Sequence, residues 1–489
     1  MDGSSPIAVR DRERFEASPA AALAVDCLLA GIEAAQPSAV IDERVSLDGA
    51  TLAIDGTTYD LDAADRVLVV GGGNAAGRVA SALEGVLGER IDDGIVVTDD
   101  PVPLDRVASI TGAHPVPDDA AMDGANQVLD LVDGATERDL VLGVITGGGS
   151  ALLPAPAGDV SLADLQDLTD ALVRSGATID EINAVRKHVS ALKGGRLARA
   201  AAPATVATLV FSDVVGDDPA TVASGPFSPD PTSYAEARSV LERHGIDAPG
   251  SIRRRLDRGA AAGTTGAAAE TTDAAVGATD ATAGDSDATA GNSDAAEAPT
   301  ETPGPDEPAF DAVDVHVLAS NDAAIDAAAE AARDAGFDSL VLSTRIEGEA
   351  REVGTVHAAI ADEVRASGRP IEPPAVLLSG GETTVTLGDA SGAGGPNQEV
   401  ALAAALDLAD PSTVIASVDT DGIDGATDAA GALVTGDTVG EEVSAATARA
   451  ALDAHDAYPV LDDAGALLRT GPTGTNVNDL RVIVVLNER

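Results

Sequence analysis

Residues 66–73 read RVLVVGGG, an apolar run that stops on three glycines. Val67, Leu68, Val69 and Val70 leave the segment no polar face. A strand of this kind is covered on both sides, as in a parallel sheet flanked by helices. Residues 74–88, NAAGRVASALEGVLG, follow with helical spacing. The alternation continues outward. DDGIVVTDD (92–100), DLVLGVITGGGS (139–150) and PATVATLVFSDVVGDD (203–218) read as further strands. DVHVLASND (314–322), SLVLSTRI (339–346), AVLLSGGETTVTL (375–387) and STVIASVDTDG (412–422) repeat the pattern, and RVIVV (481–485) closes it. Strands separated by helices predict an α/β fold. The expectation is an N-terminal Rossmann-like parallel-sheet domain over 1–258 and a smaller C-terminal α/β domain over 310–489. A site in the cleft between them is the default for such folds.

Between the two lies a break in composition. Residues 259–309 are dominated by Ala, Thr, Gly and Asp, with almost no large aliphatic side chain. Such a stretch cannot offset its ordering entropy by burial, so a disordered linker or surface insertion is expected. The whole chain holds 82 acidic and 30 basic residues, a formal charge of -52. That charge opposes binding to nucleic acid or anionic membrane. The hydrophobic fraction of 44% is enough for a core. Together they point to a folded protein adapted to high salt, whose surface repulsion is screened. Cys27 is the one cysteine, so no internal disulfide or cysteine-based zinc site is expected. No segment has about 18 consecutive apolar residues, and the start has no signal-peptide pattern. A cytoplasmic location is expected.

Three strand ends carry glycines: Gly71, Gly72 and Gly73; Gly147, Gly148 and Gly149, followed by Ser150; and Gly380 and Gly381. Glycine lets backbone N–H groups approach an anion. Gly71-x-Gly73-x-x-Ala76 with Asp99 also fits a dinucleotide pattern, or simply a tight turn. The Ser150 hydroxyl makes the second turn the better phosphate cradle.

Lys187 and Lys193, within INAVRKHVSALKGGRLARA (182–200), are the chain's only lysines. Thr178 and Glu181 form a capping-box pattern, so a helix should begin near Ile179 and stop at Gly194 and Gly195. On such a helix Arg186 and Lys193 share the flank of the apolar stripe, and Lys187 lies on the more solvated side. A compact ammonium suits a phosphoryl group, and an arginine fork suits a carboxylate. The acids at apolar strand ends, Asp213, Asp421 and Glu382, are candidates for Mg²⁺, which takes one or two carboxylates plus phosphate oxygens. Asp213 could equally serve as a general base for a hydroxyl. Asn397, opening a helix in GAGGPNQEVALAAA, and Thr475 and Asn476 in TGPTGTNVNDL offer amides and hydroxyls for a polar ligand. Self-bonded turns are the simpler reading of the latter.

Taken in order, TGGGSALL, NAVRKHVSALKGGRLA, SDVVGDDPATVASGP, SGGETTVTL, GGPNQEVALA, DTDGIDG with TDAAGA, and GPTGTNVNDL resemble the class II glycerate kinases, whose C-terminal part is the MOFRL domain. The resemblance spans nearly all of the chain except 259–309, and the composition suggests a halophilic archaeal type. It implies transfer of a phosphoryl group from ATP to D-glycerate, giving 2-phosphoglycerate, with a divalent metal such as Mg²⁺. It implies two α/β domains with the site between them, and it allows a homodimer. Members of the family are often labelled hydroxypyruvate reductases. Two departures stand out. Asn74 replaces a lysine that the family uses, and Pro396 replaces an arginine. Asn74 can donate hydrogen bonds but no charge, so Lys193, Arg186 and the metal would supply more of the stabilisation, with Asp213 orienting or deprotonating the hydroxyl. Two other classes stay open at this stage: a nicotinamide-dependent reductase, with His114 and His188 as its available histidines, and a non-catalytic binder of nucleotide or phosphate.

Overall fold

The computed structural model describes residues 7–270, 298–388, 392–440 and 443–487 of the chain. The opening segment is β4 (Arg66–Gly72), preceded by an antiparallel meander of β1 (Val45–Asp48), β2 (Thr51–Ile54) and β3 (Thr57–Asp60) that sequence reading did not anticipate. β4 joins β5 (Asp93–Thr98), β6 (Ala108–Thr111), β7 (Asp139–Thr146), β8 (Thr205–Phe211) and β9 (Val313–Ala319) in one sheet. The order is β6-β5-β4-β7-β8-β9, and every pairing is parallel. β7 is buried along its whole length, which explains its unbroken apolar run. From β4 the chain builds outward in one direction to β6, then returns to β7 and builds the other way. The carboxyl ends of β4 and β7 are therefore the point where strand order reverses, and the crevice belongs there.

The second sheet contains β10 (Asp338–Glu349), β11 (Ala375–Thr384), β12 (Val414–Asp419), β13 (Gly431–Thr435), β14 (Leu467–Leu468) and β15 (Asp479–Val485). Its order is β10-β11-β15-β12-β13-β14. It is mixed rather than parallel, because the last strand inserts antiparallel between β11 and β12. The α/β class and the two sheet-containing lobes match the expectation.

The sheets do not divide at residue 309. β9 lies beyond the expected boundary but pairs with β8 of the first sheet. Conversely, the helix Pro19–Ala34 packs with Ile325, Val376, Val414 and Val484 of the second lobe. A strand's pattern records that it is buried, not which sheet it joins. Gly31 marks the contact: a Cβ there would lie 2.6 Å from Leu480 Cδ2 and 2.7 Å from the Ala324 carbonyl oxygen. The backbone oxygen cannot yield as a side chain can. Gly31→Ala is expected to lower stability by about 1–3 kcal/mol, read in urea or thermal melts, and an unchanged melt would show that this helix is not tightly docked.

The linker expectation needs correction at both flanks. Residues 259–270 continue the helix Gly250–Glu270, and Gly259 is needed there because a Cβ would meet the Tyr234 ring at 2.3 Å. On the other side Thr302 is buried, Pro303 accepts from the Asp230 N–H at 2.9 Å, and Arg199 forks onto Glu307 at 2.5 and 2.6 Å. Residues 271–297 of the expected linker lie outside the described residues. Among the described residues, no single helix is long and apolar enough to cross a membrane.

Candidate active site

Between the lobes, at the reversal point of the first sheet, is a cavity of about 450 Å³. The first lobe contributes Gly148, Ser150, Asn183, Arg186, Lys193 and Asp213 to its wall, and the second contributes Glu347 and Glu382. The helix that carries Arg186 begins as expected: Thr178 and Glu181 form a complete capping box. It ends at His188, earlier than Gly194. The following backbone pairs instead with residues 155–157: the Ala157 N–H donates to Val189 at 2.9 Å, and the Ala191 N–H to Ala155 at 2.7 Å. Lys193 therefore reaches the cleft from a loop rather than from the helix face.

Lys193 is 4% exposed, and its Nζ donates to the Leu153 carbonyl at 2.7 Å. Burial, helped by the charge of Arg186, pushes its pKa down to about 7. Burial likewise lowers Arg186, which has no carboxylate partner among the described residues. Lys187 is not on a solvated side as expected. It is 6% exposed and pairs with the buried Asp230 at 3.4 Å. The two lysines have separate tasks: one ties the helix end to its neighbour, and the other sits in the cleft.

The same cleft also carries acids. Asp213 follows β8, and Gly147 packs so closely that a Cβ would come within 2.1 Å of its Oδ2. Burial raises Asp213 to about 6 against the pull of hydrogen bonds from its own N–H and that of Gly148. Glu382, reaching in from β11, is raised to about 7 by its surroundings and by the negative charges of Asp213, Asp479 and Glu347. Two facing carboxylates of this kind suit Mg²⁺, which completes its shell with phosphate oxygens and water. The expected third ligand is elsewhere. Asp421 accepts from the Ile423 N–H at 2.7 Å and its N–H donates to Asp419. Among the described residues no group of three or more His, Cys, Asp and Glu side chains is arranged to hold a metal.

Most of the expected nucleotide-binding positions have structural duties. At Gly71 a Cβ would lie 1.9 Å from the Val144 oxygen, so this glycine allows β4 and β7 to approach. The turn that follows spends its N–H groups internally: Gly73 on Val97, Asn74 on Gly147, Ala75 on Thr146 Oγ1 and Ala76 on Gly73. Gly72 packs against Leu153, and Asn74 Oδ1 sits unpartnered against Gly148. Gly380 makes room for Asn321, and Gly381 for Ile346. Asn397 is buried in a polar network, donating to Asp424 and Asp479 and accepting from Ser417. Thr475 donates to the Ala35 carbonyl at 2.6 Å, and Asn476 accepts from the Asn478 N–H. Gly148 and Ser150 do line the cleft, next to Gly147 and Gly149. Sequence reading missed Asn183 and Glu347. Asn183 had a signal: a polar residue beside Ile182 and Val185 of the apolar stripe, one turn before Arg186.

A family described as a domain of unknown function (DUF4147) matches residues 23–257, and the MOFRL family matches residues 375–479. The glycerate 2-kinase of Pyrococcus horikoshii is 37% identical over 94% of this chain and 96% of its own length. A protein of Agrobacterium vitis carrying a hydroxypyruvate reductase label is 42% identical over 86% of this chain and 87% of its own. The crystal structure of glycerate kinase from Thermotoga maritima superposes with a TM-score of 0.76 at 36% identity, covering 95% of this chain and 99% of that one.

Proposed function

The chain belongs to the glycerate 2-kinase family with a C-terminal MOFRL domain, and from that premise we propose how its cleft works, with ATP as phosphoryl donor and Mg²⁺ as its companion ion. The reaction is phosphorylation of D-glycerate to 2-phosphoglycerate. The observation that carries the reading is that one cleft is lined by two cations, Lys193 and Arg186, and by two carboxylates, Asp213 of the first lobe and Glu382 of the second. Phosphoryl transfer needs positive charge near the equatorial oxygens and a group to orient the attacking hydroxyl. Lys193 meets the first need. Asp213 meets the second, and with Glu382 it would hold the Mg²⁺ that neutralises phosphate charge. Arg186 presents a fork to the carboxylate of the acid. Asn74 carries no charge, so it leaves the electrostatic work to these groups.

A nicotinamide reductase is not favoured. Its pyrophosphate would need free N–H groups at the first glycine turn, and those of Gly73, Asn74, Ala75 and Ala76 are already bonded. The formal charge of -52 supports adaptation to high salt, so assays belong in molar KCl. Incubation with ATP, Mg²⁺ and D-glycerate is expected to give ADP and a phosphorus NMR signal of 2-phosphoglycerate. A 3-phosphoglycerate signal would correct the position of transfer, and no ADP above background would overturn the assignment.

A further inference from the structure

Asn183 is 3% exposed yet forms part of the cleft wall. Its Oδ1 accepts from Ser224 Oγ at 2.8 Å, and Ser224 Oγ lies 2.8 Å from Ser150 Oγ. A hydroxyl has a single hydrogen to give. Ser224 gives its hydrogen to Asn183, so Ser150 must donate to Ser224. Donation thus runs from Ser150 through Ser224 to Asn183. With the amide oxygen turned towards Ser224, the Ser150 hydroxyl is spent and is no longer a donor to phosphate. Nδ2 is then left without a partner, although buried. Buried amide hydrogens without an acceptor are unfavourable and uncommon.

The backbone holds this arrangement at some cost. Ala223 and Ser224 are consecutive non-glycine residues at φ 51 and φ 61. Such conformations persist where the surroundings enforce them, and they concentrate at functional sites. Here the Ser224 N–H donates to Thr221 at 2.9 Å and its carbonyl accepts from the Gly194 N–H at 3.0 Å, beside Lys193.

We propose that Asn183 Nδ2 donates a hydrogen bond to the carboxylate of the acceptor acid, side by side with Arg186, and so selects a hydroxy acid over an uncharged polyol or amide. This rests on the kinase reading of the cleft. The two residues stand three apart on the helix Ile179–His188, so their side chains are neighbours on one face. Arg186 supplies charge, and Asn183 supplies a second, directional donor. Ser224 is a positioning residue that acts through the amide.

Steady-state kinetics of Asn183→Asp and Ser224→Ala test this. An aspartate of the same shape cannot donate and repels the substrate's charge. Asn183→Asp is expected to raise KM for D-glycerate about 30-fold or more while kcat changes less than about threefold and KM for ATP stays put. Its preference for D-glycerate over D-glyceramide should fall about tenfold. Ser224→Ala, which leaves the amide free to turn, should raise the same KM by about three- to tenfold. An unchanged KM for D-glycerate in Asn183→Asp, or a change confined to ATP, overturns the proposal. A binding readout separates this from the kinase reading itself. In wild-type protein without ATP, the Asn183 side-chain amide resonance, identified by its loss in Asn183→Ser, should shift on titration with D-glycerate. No shift overturns the proposal even if wild type makes ADP. A shift without ADP supports it while the kinase reading fails.

Discussion

Lys193→Met is expected to lower kcat/KM at least about 1,000-fold, with little change in the folded structure. Methionine is close in volume and equally unbranched, so it can occupy the 4% exposed site. It removes the ammonium and its hydrogen bond to Leu153. What is lost is a buried charge next to a phosphoryl group that gains negative character in flight. Among the described residues that line the cleft, the other permanently charged cation is Arg186, which is assigned to the substrate carboxylate. Lys187→Met makes the matching control. It leaves Asp230 buried without its cation, so stability should fall by about 3 kcal/mol or more while kcat of the folded enzyme holds. Loss of turnover in the Lys187 variant and retention in the Lys193 variant would reverse the two assignments.

The second large effect concerns Asp213 and pH. Its carboxyl, raised to about 6 by burial in the metal-free protein, must be ionised to accept or orient the hydroxyl proton, so activity is lost as pH falls through 6, and at a lower pH once Mg²⁺ is bound. Lys193, lowered to about 7, must be protonated, so activity is lost as pH rises through 7. The profile of kcat/KM should therefore be a narrow bell between these values, since it reports the free enzyme. Bound phosphates favour the ammonium, so the alkaline limb of kcat should lie higher. Asp213→Asn is expected to cost about 100- to 10,000-fold in kcat and to abolish the acid limb. An acid limb that survives the substitution would belong to another group, with Glu382 the nearest candidate.

The sequence made some of this readable and withheld the rest for physical reasons. β4 and β7 announced themselves because a strand covered on both faces has no polar side to hide. Lys193 stood out because composition had removed lysine almost everywhere else. The role of the first glycine turn was not readable, since an N–H is free or spent according to what lies across from it. Thr146, Val97 and Gly147 spend those of residues 73–75. The homes of β9 and of the helix Pro19–Ala34 depend on pairing across long stretches of chain, which local pattern does not encode. The early end of the helix at His188 follows from the pairing of 189–191 with 155–157. Asn183 was readable in principle, as a polar residue set into an apolar stripe.

The most direct measurement is a crystal structure at high salt with D-glycerate, Mg²⁺ and a non-hydrolysable ATP analogue. The expected density puts the terminal phosphoryl group within hydrogen-bond reach of Lys193 Nζ, the acid's carboxylate against Arg186, and its 2-hydroxyl at Asp213. Ligands seated instead at the 470–478 loop or the first glycine turn, with Lys193 still facing only Leu153, would contradict the assignment of the cleft as the place where phosphoryl transfer occurs.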